Sequence, residues 1–227
     1  MDLNALKNLD LRFVTITAEL NTLRYHLDLV EKTIGQTIAI RDAEFEQYLS
    51  DAQLTEQDEE WNCINQNHQR EEQIGITRMF RGPYLVSLYS VFEFSTIEIA
   101  SHIQKKKGID LALNDLSGSS YEKAKKYYAK VLKFKLFSEP KQTQDLALLI
   151  NLRNIFAHSN GRIDRLSKDK QEKLYKILNQ KIGATQDLGF LCVEADLVAK
   201  LYGSVRETLI DLIERFKEWD KAGAPNN

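Results

Sequence analysis

Apolar residues recur along the first part of this chain at helical steps. Phe13, Ile16, Leu20, Leu23, Leu27, Val30 and Ile34 follow one another at alternating steps of three and four. That spacing keeps one stripe of a helix turned toward a neighbouring helix. It predicts a long amphipathic helix packed on another, in the same chain or in a partner. Phe45, Tyr48 and Leu49 prolong it or begin a second helix, and the acidic stretch 50–60 reads as a turn region.

Trp61 to about Lys107 reads as one or two helices. Gly82-Pro83 marks a start or a kink, because proline is tolerated in a first turn and disrupts an interior. Downstream, YLVSLYSVFEFSTIEIASHI is apolar on most sides, as expected of a helix central to its bundle. Glu93 sits inside it between Phe92 and Phe94, and a carboxylate there has to be paired or face a wet site. Gly108 ends that helix and LNDLSGSS is a loop. Ser119 or Ser120 caps a helix over Tyr121–Leu136. Pro140 separates it from the next helix, Thr143–His158, whose buried stripe is Leu146, Leu149, Ile150 and Leu152. Gly161 suits a left-handed cap.

A further helix covers about Ser167–Lys181, and Gly189–Val193 forms a short extended piece. The last helix runs from about Glu194 to Trp219, with a seam of Val198, Leu201, Val205, Leu209, Leu212 and Phe216. Only three prolines and ten glycines interrupt the 227 residues, and no segment alternates for long. The expected fold class is all-α.

A hydrophobic content of 43% and a charged content of 28% fit a globular chain with a real core. The net charge of −2 favours no partner, but its distribution is uneven. Asp42–Glu60 carries eight acidic residues and no Lys or Arg, whereas His102–Lys141 carries ten lysines against four acidic residues. The basic segment is either a footprint for a polyanion or a solvated helix face. Cys63 and Cys192 are far apart and lack CxxC spacing, so neither a disulfide framework nor a zinc site is expected. The start, MDLNALKNLD, lacks the basic and apolar runs of a signal peptide, and no stretch approaches a membrane span. A reducing cytoplasm and no membrane contact are the expectation.

The candidate chemistry lies in Leu148–Gly161, LLINLRNIFAHSNG. An apolar helix runs into Arg153, Asn154 and His158, then stops at a Ser-Asn-Gly turn followed by Arg162. Arg153 can hold a phosphate by two hydrogen bonds, and His158 can move protons near neutral pH. Asn154 and His158, four residues apart, share a helix face. Arg153 and His158 diverge by about 140° and lie about 7.5 Å apart along the axis. One helix does not aim both at one atom, but two copies facing each other close a shared site, so a homodimer is expected. On residue types alone a structural reading stays open, with Arg153 paired to a buried acid such as Glu93 and His158 capping the last carbonyls.

RNIFAH followed by SNG resembles the HEPN superfamily, whose signature is Arg, a polar residue that is often Asn, a short spacer and His. The resemblance covers roughly residues 70–220. It rests on that motif, on the preceding apolar helix with its internal Glu93, and on the closing amphipathic helix. It implies an N-terminal heptad-patterned extension over 1–69 and a HEPN-like helical bundle over 70–227. Many members are dimeric, metal-independent RNases of toxin and defence systems. By that pattern Arg153, Asn154 and His158 form the catalytic set, with Glu93, Asn160 and Arg162 supporting it. Toxin members paired with a nucleotidyltransferase antitoxin often carry Tyr two residues after the His. Here that position is Asn160, so control by modifying such a tyrosine is not expected.

The implied partners are an RNA substrate, a second copy, and an antitoxin or regulatory protein, the last being one role for the N-terminal region. The implied chemistry uses the RNA's own 2′-OH as nucleophile. His158 acts as base or acid, Arg153 stabilises phosphate charge, and Asn154 orients His158 or the scissile phosphate. No cofactor and no metal are expected, and His26, His68 and His102 read as surface or satisfied core residues. The alternative is a non-catalytic helical interaction module, in which the heptad helix supplies the function.

Overall fold

The computed structural model describes residues 11–180 and 182–222. The protein is all-α apart from one small hairpin. The order is α1 (Leu11–Ala52), α2 (Glu59–Arg70), a π-helical segment (Glu71–Thr77), α3 (Arg78–Lys107), a 3-10 turn (Leu113–Asp115), α4 (Ser120–Lys126) continued by a π-helical segment (Tyr127–Leu132), α5 (Pro140–Ser159), α6 (Lys168–Leu178), β1 (Ala184–Asp187), β2 (Phe190–Val193) and α7 (Ala195–Lys221).

The helical stripes of the sequence become the core. All seven positions of the α1 seam, Phe13 to Ile34, are buried, and so are all six seam positions of α7. Burying one such side chain contributes about 1.5–3 kcal/mol. The seam of α1 is therefore covered by this chain itself.

The chain divides into two compact units. The first comprises the described residues of Met1–Arg24, with Ser87–Leu149 and Leu201–Asn227. Its core holds Phe13 against Phe216, ring centroids 5.4 Å apart. Several polar groups inside it are matched, though Ser95 Oγ is buried with no hydrogen-bond partner among the described residues. The Tyr128 hydroxyl donates to Thr96 O at 2.8 Å, the Tyr202 hydroxyl to Leu20 O at 3.1 Å, and Ser204 Oγ to Asp145 Oδ2 at 2.7 Å. Burial pushes the Tyr128 phenol well above its ordinary pKa.

The second unit comprises Tyr25–Val86 and Ile150–Lys200. Leu27, Val30, Ile34, Tyr84, Leu152, Phe156, Leu174, Leu191 and Val198 are buried there. The Arg81 guanidinium grips both oxygens of Glu31, at 2.9 and 2.7 Å, and donates to Val193 O at 2.9 Å. The heptad helix thus contributes residues to both units, the division falling after Arg24.

Several boundaries differ from expectation for identifiable reasons. Gly82-Pro83 neither starts nor ends a helix: Pro83 lies within α3, and the irregular backbone is the π-helical segment just before it. Gly82 serves packing instead, since a Cβ there would lie 2.5 Å from Phe156 Cδ1. The helix expected to reach Leu136 stops at Leu132, where Lys133 turns left-handed (φ 52°) and the Lys107 ammonium donates to the Leu132 carbonyl at 2.8 Å. α5 begins at Pro140, three residues early, because proline suits a first turn and Gln142 Oε1 accepts from Ser138 N at 3.0 Å. Lys181, the expected end of α6, lies outside the described residues, as do Met1–Asp10.

β2 is the extended piece anticipated at Gly189–Val193. Its partner β1 is an addition, paired antiparallel from Ala184↔Val193 to Asp187↔Phe190. Leu188 and Gly189, φ 45° and 79°, make the two-residue turn. Positive φ at both central positions matches the strand twist.

Candidate functional site

α5 carries the motif and fixes its geometry. Leu152, Ile155 and Phe156 anchor one face of its last turns in the core of the second unit. Asn151, Asn154 and His158 are thereby turned to solvent. They line a cleft of about 560 Å³ whose opposite wall is α6, with Lys170, Lys173, Leu174, Lys176 and Ile177. Asn154 and His158 therefore share one opening, as four-residue spacing requires.

Arg153 is not among the lining residues. It is half-buried, and its Nη1 donates to Asn154 Oδ1 at 2.9 Å. With that oxygen engaged, the Asn154 amide is left with its NH₂ donors for a ligand in the cleft. Two of the three motif residues open into the cleft, and the third holds one of them.

The residues after His158 are a structural joint. Asn160 and Gly161 adopt φ 49° and 79° and end α5. The Asn160 carbonyl accepts from Arg78 Nη1 at 2.5 Å, and Leu191 N donates to Gly161 O at 2.8 Å. Arg162 binds both oxygens of Asp164, at 3.0 and 2.7 Å, and its guanidinium lies 5.2 Å from the Phe190 ring centre. The Arg162 guanidinium holds the Asp164 carboxyl below its usual range. Asn160 thus ties the end of α5 to α3, while Gly161 and Arg162 tie it to the hairpin. Glu93 belongs to the first unit and Arg153 to the second. Glu93 is half-buried, and its carbonyl accepts from Thr96 Oγ1 at 2.9 Å.

The lysines beside the cleft are not those of the basic 102–141 segment. Within that segment, Lys107 is engaged with the Leu132 carbonyl and Lys106 with Asp220. The cleft takes Lys170, Lys173 and Lys176 from α6. Their three-residue spacing was legible in KDKQEKLYK, but nothing in the sequence places that helix beside His158.

His26 and His102 are packed on rings: His26 against Tyr84 at 5.4 Å, and His102 against Phe216 at 4.9 Å. His68 is different. It meets Asp42 and Glu72, so a mixed cluster of possible metal ligands exists where none was expected. The i,i+4 pair His68/Glu72 was its sequence signal, but Asp42 stands 26 residues before His68 and only the fold brings it in. No family model, no curated protein and no solved structure matches this chain.

Proposed function

We propose that this protein is a metal-independent endoribonuclease of toxin or defence type, cleaving single-stranded RNA at a site shared by two copies of the chain. The observation that carries this reading is the cleft where Asn154 and His158 open together beside Lys170, Lys173 and Lys176. It sets a group able to transfer protons next to cations able to hold a polyanion.

In the proposed reaction His158 takes the proton of a ribose 2′-OH. The 2′ oxygen attacks the adjacent phosphorus, the P–O5′ bond breaks, and the leaving oxygen takes up a proton. The products are a 2′,3′-cyclic phosphate and a 5′-OH. Arg153 offsets charge on the phosphate oxygens, and Asn154 orients the phosphate. Arg153 of the same helix is not among the residues lining the cleft, and in the proposed site the arginine that meets the phosphate comes from a second copy. His158 of that copy supplies the leaving-group proton.

The interaction-module reading draws less support, because the stripe it relies on, Phe13 to Ile34, is buried within the chain. Incubation with RNA in EDTA separates the two readings. Cleavage supports the nuclease, and intact RNA at micromolar protein favours the module.

A further inference from the structure

α1, α2 and the π-helical segment after α2 bring one imidazole and two carboxylates together, at a place the proposed chemistry does not use. His68 Nε2 lies 2.9 Å from Asp42 Oδ1 and 3.4 Å from Glu72 Oε1. One ligand atom from each residue lies within 4.8 Å of the other two. The Phe45 ring stacks on the imidazole, centroids 4.1 Å apart and planes 7° from parallel. That stacking fixes the ring plane and leaves Nε2 turned to the carboxylates.

The cluster is built, and the nearest cation beside it, the Arg41 guanidinium, pairs with Glu71 and Glu44. The His68 side chain is only 10% exposed and that of Glu72 20%. Glu72 Oε1 is closed off from solvent and has no hydrogen-bond partner among the described residues. A buried carboxylate oxygen faced at 3.4 Å by the His68 imidazole and held by no hydrogen bond is a costly arrangement that a cation in front of it relieves.

We propose that Asp42, His68 and Glu72 bind a divalent transition ion, zinc, through Oδ1, Nε2 and Oε1. Zinc with tetrahedral bonds of about 2.0–2.1 Å sets its ligand atoms about 3.3 Å apart. Two of the three separations, 2.9 and 3.4 Å, bracket that value, and the third is within 4.8 Å. The mixed nitrogen and oxygen set suits zinc, whereas Ca²⁺ and Mg²⁺ take oxygen ligands. Two carboxylates balance the charge of the ion. The half-exposed side of Asp42 leaves the fourth position to water. On binding, His68 Nε2 carries no proton, its tautomer keeps the proton on Nδ1, and any proton held by Glu72 is released. The ion joins the end of α1 to α2 and the π-helical segment, so its role is structural. It does not depend on the nuclease reading.

The test uses the untagged full chain, stripped with chelator and titrated with ZnCl₂ alone. Calorimetry is expected to give one equivalent with micromolar or tighter affinity, and the melting temperature should rise. Co²⁺ should give the visible absorption of a tetrahedral site, and Mg²⁺ and Ca²⁺ should leave the melting temperature unchanged. His68→Ala, Glu72→Gln and Asp42→Asn should each weaken zinc binding at least about 10-fold, the loss seen even for outer-shell changes. Asp42 is half exposed, so Asp42→Asn carries the test if His68→Ala fails to fold. Absence of binding by the wild type, or zinc affinity unchanged in Asp42→Asn and Glu72→Gln, would overturn the proposal.

Discussion

Arg153 and Asn154, adjacent on α5 and pointing about 100° apart, are joined by a hydrogen bond from Nη1 to Oδ1 of 2.9 Å. The bond sets which end of the Asn154 amide faces the cleft. It also gives Arg153 a positioning role within its own chain, besides any contact it makes with a second copy. Arg153→Lys should therefore rescue little of the cleavage lost in Arg153→Ala, because a point charge lacks the planar fork. Asn154→Ala should slow cleavage with little change in melting temperature, since the side chain is exposed. A protein that is strictly monomeric by light scattering at micromolar concentration would contradict the shared site.

The α6 lysines should act on affinity for RNA. Each of Lys170, Lys173 and Lys176 is exposed, so charge reversal there leaves folding close to unchanged. Lys173→Glu should weaken binding to single-stranded RNA of any sequence. Removing one phosphate contact should lower the slope of log K against log salt by roughly 0.7. The check is a salt series of RNA-binding titrations with His158→Ala protein, which holds substrate without turnover. An unchanged slope would place the RNA elsewhere.

Gly82 should tolerate no side chain. Alanine is normally favoured over glycine within a helix by about 1 kcal/mol. Here its Cβ would lie 2.5 Å from Phe156 Cδ1 and 2.9 Å from Cε1. Overpacking of that kind costs about 1–3 kcal/mol, so Gly82→Ala should lower stability in urea denaturation. Phe156→Leu should recover part of the loss. A stabilised Gly82→Ala would show that the ring moves aside freely.

The long helices were legible because their stripes are regular. The three-four steps from Phe13 to Ile34 and from Val198 to Phe216 reappear as buried positions without exception. The choice between packing in the same chain and in a partner was not legible, because periodicity says which face is buried and not what covers it. β1 was not legible because ATQD is four residues long and mostly polar, so its pairing with β2 comes from the Leu188-Gly189 turn. Asn154 and His158 were legible as one face of α5. The joint made by Asn160, Gly161 and Arg162 was not, because their partners Arg78 and Leu191 are distant in sequence. Asp42 could not be linked to His68 for the same reason.

The nuclease reading is tested most directly by exposing single-stranded RNA, and a DNA copy of it, to the untagged protein in EDTA well below its melting temperature. That margin keeps loss of a structural ion from being mistaken for loss of catalysis. The result expected is cleavage of RNA alone, with products ending in a cyclic or 3′-phosphate, because DNA lacks the 2′-OH nucleophile. His158→Ala should slow it by about 10²–10⁴-fold, the usual worth of positioned proton transfer. RNA degraded only with added Mg²⁺, or cut equally fast by His158→Ala, would contradict it.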